Sequence, residues 1–171
     1  VNWLSDFRDD VRREADYGVS PPGSLVKSQG LWALLQYRVA HQYGDVPWVR
    51  PGLFVWKKAV ESLTGISIDR EAEIGPGCYI GHFGGIIIGG GVVMGARCNI
   101  SQGVTIGVHK GGSPTIGREC GIAAGAVVIG PITVGDNAYI GANAVVSRDI
   151  PAGSMVRSAP ISVSTDEDPT S

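Results

Sequence analysis

Apolar positions along the chain follow two different periods. Over residues 1–65 they recur three and four apart, the spacing that places side chains on one face of an α-helix. Leu4, Phe7, Val11 and Ala15 form the first stripe, with Ser5 as its cap and an end near Gly18. A turn is expected at Ser20-Pro21-Pro22-Gly23. The stretch from Ser24 to Tyr43 carries Leu31, Leu34, Leu35 and Val39 with Gly44 behind it. Gly52 to Thr64 repeats the arrangement with Leu53, Trp56, Val60 and Leu63 before Gly65. This region therefore predicts three short helices.

From Ile68 the period is six. Aliphatic residues open thirteen units, at Ile68, Ile74, Ile80, Ile88, Met94, Ile100, Ile106, Ile116, Ile122, Val128, Val134, Ile140 and Val146. The fifth residue is small or branched, as at Cys78, Val92, Cys98, Val104, Cys120, Ala126, Ile132, Ala138, Ala144 and Ile150. One large and one smaller inward side chain per short strand, with Gly where the chain turns sharply, is what a triangular parallel β-solenoid requires. Three hexads make a coil, so thirteen predict a little over four coils. The chain then divides into a helical region (1–65), a solenoid (66–161) and a polar tail (162–171). The tail's Ser, Thr, Asp, Glu and Pro show no period and predict disorder.

Composition narrows the function classes. Twenty-six glycines among 171 residues are about twice the usual share, yet 43% of the chain is hydrophobic and no Gly-X-Y period runs through it, which excludes flexible linkers and collagen. The net charge of -2 supplies no basic field for nucleic acid. No run approaches the roughly 18 apolar residues of a membrane span. The first ten residues have neither the basic head nor the apolar stretch of a signal peptide. The three cysteines are odd in number, widely spaced, and all in the fifth position of a hexad, so they read as buried packing residues rather than disulfides or zinc ligands. A reduced, cytoplasmic setting is expected.

Chemistry is expected where the repeat breaks. Two residues are added in Ile80-Gly81-His82-Phe83-Gly84-Gly85-Ile86-Ile87 and four in Ile106-Gly107-Val108-His109-Lys110-Gly111-Gly112-Ser113-Pro114-Thr115. Each insertion holds a histidine, His82 or His109, in different hexad phases. A loop leaving a rigid repeat is an economical place for a site. An imidazole, with an ordinary pKa of about 6.5, suits a general base. Either histidine taken alone could equally be a solvated corner residue. His41, inside a helical pattern, reads as structural.

Four segments carry a resemblance to a known family. Tyr37-Arg38-Val39-Ala40-His41 is similar to a helical segment that precedes the repeats in the serine acetyltransferase branch of the hexapeptide-repeat acyltransferases. Ile80-Gly81-His82-Phe83-Gly84-Gly85-Ile86 sits where that branch has its catalytic segment. Ser101-Gln102-Gly103-Val104-Thr105-Ile106-Gly107 resembles its Gln-Ser-Val-Thr-Leu-Gly, and Val146-Ser147-Arg148-Asp149-Ile150-Pro151 resembles the Val-x-Lys-Asp-aliphatic-Pro that closes many such enzymes. The resemblance covers roughly the last hundred residues well and the helical part loosely. It implies a left-handed parallel β-helix preceded by a short helical region.

The resemblance also implies roles. His82 looks like the catalytic base of an acetyl-CoA-dependent O-acetyltransferase; the oxyanion needs a backbone NH donor, for which Gly84 and Gly85 are candidates by proximity alone. Gly81 replaces the family's Asp before that histidine, and Ser67 replaces the Asp fifteen residues upstream, leaving Asp69 as a nearby carboxylate. Asp16 corresponds to an acidic residue from the helical region. His109 or Lys110 takes the place of the Arg-His-Pro that holds the acceptor carboxylate. Gly107, Ala124 and Ala142 match small positions along the pantetheine groove, and Arg148 matches a basic residue near the CoA phosphates. Ser158-Ala159-Pro160 replaces the usual Gly-x-Pro beside the cofactor. Acetyl-CoA is then the co-substrate, no metal is expected, and the assembly is a homotrimer, with paired trimers as the larger form. The acceptor is serine or a related small hydroxy compound, with a sugar or surface-polysaccharide hydroxyl as the second reading. Two other classes remain on the same solenoid: a metalloenzyme resembling the γ-type carbonic anhydrases, which needs three histidines around zinc, and a trimeric scaffold without catalysis.

Overall fold

The computed structural model describes residues 2–18 and 23–158, so the tail, most of the Ser20-Pro21-Pro22-Gly23 turn and Ala159-Pro160 lie outside the described residues. The helical region contains α1 (Trp3–Ala15), α2 (Gly23–Lys27), α3 (Gln29–Tyr43) and α4 (Arg50–Thr64), four described helices rather than three. The extra break falls at Ser28, whose Oγ accepts from Leu31 N at 3.3 Å and starts α3 afresh. Asn2, not Ser5, caps α1: its side chain accepts from Leu4 N at 3.2 Å, while Ser5 lies inside the first turn with its hydroxyl on Asn2 O. Pro51 suits a first helical turn, and α4 accordingly starts two residues before Gly52. Gly65 closes α4 at a φ of 66°, where a side chain would be strained.

From Ile66 the chain winds as a parallel solenoid of about five turns. The first coil is β1 (Ile66–Ile68), β2 (Glu73–Ile74) and β3 (Tyr79–Ile80), and the second is β4 (Ile86–Ile88), β5 (Val93–Met94) and β6 (Asn99–Ile100). The third is β7 (Thr105–Gly107), β8 (Thr115–Ile116) and β9 (Gly121–Ile122), and the fourth is β10 (Val127–Ile129), β11 (Thr133–Val134) and β12 (Tyr139–Ile140). β13 (Val145–Val146) and β14 (Met155–Val156) belong to the fifth. Stacking gives three parallel faces: β1-β4-β7-β10-β13, β2-β5-β8-β11 and β3-β6-β9-β12-β14. The hexad count reaches β13 through Val146 and misses β14, because the last coil is short. Tyr139 pairs with Met155, sixteen residues on, whereas Gly121 pairs with Tyr139, eighteen residues on.

The hexad logic explains the core. Every aliphatic that opens a unit is buried, and so are the fifth-position residues, except that Ile150 is half-buried. The cysteines are packing residues as read, and burial pushes the Cys78 thiol up to about 12, with nearby Asp10 adding to the shift. Outward positions alternate with these, which leaves polar and apolar residues on three flat faces.

A buried ion pair holds the helices on the first coil. On α1 the predicted apolar face is incomplete: Phe7 and Val11 pack on the core, Leu4 and Ala15 are exposed, and Asp10 and Glu14 are the buried residues. Arg38, 4% exposed on α3, reaches Asp10, 0% exposed, through Nε (3.1 Å) and Nη2 (3.2 Å), and its remaining donors take Ile74 O and Gly75 O. Asp10 also accepts from Cys78 N at 2.9 Å. Burial raises the Asp10 pKa against the pull of Arg38, while Arg38 stays charged because Asp10 outweighs its own desolvation. Beside this pair, Tyr37 donates to Ala72 O and accepts from Ile74 N. Gly30 lets α3 touch β3, since a Cβ there would stand 2.4 Å from Ile80 O.

Removing one partner of this pair leaves a buried charge unpaired. Arg38→Ala is expected to lower unfolding free energy by about 3–5 kcal/mol, read from the denaturant midpoint. Ellman's reagent should label no thiol in the native protein over minutes and all three cysteines in denaturant; fast labelling of the native protein would contradict their core placement.

Candidate active site

The two insertions leave the solenoid at different edges. Residues 81–85 join β3 to β4 and so lie on the edge between the third and first faces, whereas residues 108–114 join β7 to β8 on the edge between the first and second. A three-residue strand, about 10 Å long, separates the two edges within a coil.

At the third-to-first edge the loops stack in a ladder. Gly84 N donates to Thr64 O, Gly103 N to Gly84 O, Gly125 N to Gln102 O and Asn143 N to Ala124 O, each at 2.9 Å. Ala124 and Ala142 belong to this ladder, directly along the edge from His82. Side chains there are few: a Cβ on Gly85 would come within 3.4 Å of Gly103 Cα, and one on Gly103 within 3.4 Å of Gly125 N. Of the two expected oxyanion donors, Gly84 N–H is engaged by Thr64 O, while Gly85 N–H has no hydrogen-bond partner among the described residues. His82 is exposed and has no hydrogen-bond partner among the described residues.

The departures around His82 have local causes. A Cβ at Gly81 would lie 2.9 Å from the Tyr79 ring, and that ring is held by a stack on Tyr17 with centroids 3.8 Å apart. The Tyr17–Tyr79 stack thus occupies space that a side chain at position 81 would need. Ser67 donates from Oγ to Glu61 Oε1 at 2.7 Å, so a carboxylate from α4 reaches the first face at that position. Burial raises the Glu61 pKa, but hydrogen bonds from Lys58 and Ser67, with Lys57 nearby, hold it below the usual value. Asp69 stands at the first-to-second edge instead, where its Oδ1 accepts from Glu71 N at 2.9 Å. Asp16 caps α1 and is bound by Arg13 and Arg97, with the Arg13 hydrogen bond holding its carboxyl below the ordinary range.

The first-to-second edge collects most of the other expected residues. His109 and Gly112 exchange backbone bonds at 3.0 and 3.2 Å around Lys110 and Gly111, whose φ values of 51° and 80° make a tight hairpin turn. The hairpin lies on the next coil, where a Cβ at Gly112 would come 2.6 Å from Pro131 Cβ. His109 and Lys110 are exposed at its tip. Gly107 ends β7 at this edge and accepts from Gly130 N at 3.2 Å, and Arg148 is exposed on the fifth coil. One chain therefore keeps His82, Ala124 and Ala142 on one edge and Gly107, His109, Lys110 and Arg148 on the other. His41, elsewhere on α3, donates from Nδ1 to Arg70 O at 2.8 Å, so the three histidines occupy three separate places.

The face between the two edges is the missing element of the sequence reading. Ser67, Ile87, Thr105, Val127 and Val145 stack in register along its outer side. Ile87 is 51% and Val145 69% exposed, so the stripe offers apolar surface. Outward positions at spacings of 18 to 22 residues carry the signal, which a search for hexads passes over.

Comparison with known proteins places this geometry in a family. The family model described as Bacterial transferase hexapeptide (six repeats) matches residues 113–148. A serine acetyltransferase of Helicobacter pylori is 41% identical over 137 residues, 76% of this chain and 78% of that protein. The soybean serine acetyltransferase complexed with serine superposes with a TM-score of 0.84 at 29% identity over 92% of this chain and 68% of its own. Isoform 3 from Entamoeba histolytica, in complex with cysteine, gives 0.77 at 28% identity over 96% of this chain, which spans 62% of that longer chain. The matches extend over most of the chain and are to proteins of one kind, and the chain belongs to the serine acetyltransferase family.

Proposed function

We propose that this chain transfers the acetyl group of acetyl-CoA to the hydroxyl of serine, with His82 as general base. The observation that carries the reading is the placement of His82 at the head of a glycine- and alanine-lined edge, in a chain whose relatives are serine acetyltransferases. A serine hydroxyl is a weak nucleophile at neutral pH. His82 takes its proton as the oxygen attacks the thioester carbonyl, and the Gly85 N–H, without a partner among the described residues, receives the developing oxyanion. Collapse breaks the carbon–sulfur bond, and the imidazolium returns its proton to the departing CoA thiolate. Products are O-acetylserine and CoA, and no metal is required by this route.

The edge below His82 suits the pantetheine arm. Small residues at Gly103, Ala124 and Ala142 leave an extended ligand room to lie against the coils, with Arg148 as the cation for its phosphates from the opposite edge. Because a single chain separates the two edges, the site is completed between copies. Three protomers packed about an axis through the apolar first face would bring the hairpin of one, with His109 and Lys110, to the His82 edge of the next. In that arrangement His109 and Lys110 hold the acceptor carboxylate, and Asp16 supplies an acidic group from the helical region. Pairing of trimers through the helices would give the hexamer.

His82→Ala should reduce serine-dependent CoA release by about 10²- to 10⁴-fold with an unchanged circular dichroism spectrum, because the side chain is exposed. Full activity in the variant would remove the base from this reading, and release with a sugar but not with serine would replace the acceptor. Ala142→Trp, also at an exposed position, should raise the KM for acetyl-CoA about tenfold or more with little change in stability; an unchanged KM would move the cofactor off this edge.

A further inference from the structure

Away from the His82 edge, a cavity of about 310 Å³ opens between α3, α4 and the turn that follows β1. Its size suits a small metabolite. Gln36 of α3 lines it, is 4% exposed, and has a buried Nε2 with no hydrogen-bond partner among the described residues. Buried amides are nearly always paired, so this one marks a place where a ligand oxygen would be satisfied.

The walls carry opposite charges. α4 contributes Arg50 and Lys57, with Leu53 and Phe54 between them as an apolar surface. This wall is also the first turn of α4, but its N–H groups are largely spoken for, since Arg50 N donates to Val46 O, Leu53 N to Val49 O and Pro51 has none, so the positive charge of the wall is that of its side chains. Lys57 lies 3.8 Å from Glu61 and Arg70 is 2.9 Å from Asp45, whereas Arg50 enters no ion pair among the described residues. The other wall is the turn Asp69-Arg70-Glu71, held together by the bond from Glu71 N to Asp69 Oδ1, in which Arg70 reaches both Asp45 and, at 3.6 Å, Glu71, leaving Asp69 as the carboxylate without an ion pair among the described residues. A simple anion would meet the Asp69 carboxylate beside the Arg70–Glu71 pair, and a simple cation would meet Arg50 and Lys57.

We propose that this cavity binds a small α-amino acid in its dipolar form, at a site separate from the acyl-transfer edge. The carboxylate is received by Arg50 and Gln36 Nε2, the ammonium by Asp69 and Glu71, and a compact side chain lies on Leu53 and Phe54. Charge-assisted hydrogen bonds at both ends select the dipole over either half. The proposal stands whether or not the acyl-transfer reading does, because it is tested by binding.

Isothermal titration of the intact protein with each common L-amino acid, and with acetate, methylamine and inorganic phosphate as part-probes, tests it in wild type, Arg50→Gln and Gln36→Leu. The expected result is saturable binding of at least one amino acid, a Kd about tenfold or more weaker in both variants, and an unchanged KM for serine in turnover. Arg50 is exposed, so its variant carries the test should Gln36→Leu fail to fold. Four results would each overturn the proposal: no amino acid bound by wild type, an unchanged Kd in Arg50→Gln, phosphate or acetate binding as tightly as the amino acid, or a parallel rise in the KM for serine.

Discussion

Parallel stacking of coils constrains everything else in this molecule. Each strand completes its backbone hydrogen bonds only with the equivalent strand above and below, so a residue's position within its coil is shared by a column of equivalents. Ile66, Ile86 and their successors cannot shift by one residue without turning the buried column to solvent. Extra residues are tolerated only at an edge, where the chain already leaves one face for the next. The loop of His82 and the hairpin of His109 are therefore displaced outward as units, and the coils that flank them keep register: Ile80 still pairs with Ile100, and Ile106 with Val128.

That constraint explains how much was legible in the sequence. A buried column imposes the same residue class every six positions, so the openings from Ile68 to Val146 and the fifth-position cysteines could be read directly. The helical region has no such repetition, and beyond the shifted helix starts its polar core carries no periodic signal. Asp10, Glu14, Gln36 and Arg38 are buried although polar, which an apolar-stripe reading assigns to solvent. Arg38 needs both Asp10 and the carbonyls of Ile74 and Gly75 to be buried, and those partners lie tens of residues apart in sequence. Only the fold brings them together.

The candidate site was legible in its residues and illegible in its geometry. The family resemblance named His82 and the small residues of the edge, while the solenoid decides which of them are neighbours. Ala124 and Ala142 fall on the His82 ladder, and Gly107 falls one strand away. The same placement shows what stands at the positions of the two expected acids. Tyr79 packed against Tyr17 fills the space beside position 81, and Ser67 draws Glu61 from α4 onto the first face. Loss of a carboxylate in one element is accompanied by a carboxylate contributed from another.

The boundary between helices and solenoid is where the two regions act on one another. Thr64 O, at the end of α4, accepts from Gly84 N in the His82 loop, and a Cβ on Gly65 would come within 3.1 Å of Gly84 Cα. α4 therefore both closes the first coil and fixes the height of that loop. Its other end, at Arg50, forms a wall of the cavity that Gln36 lines. One helix therefore borders both places, with its first turns at the cavity and its last residue hydrogen-bonded to the loop bearing His82.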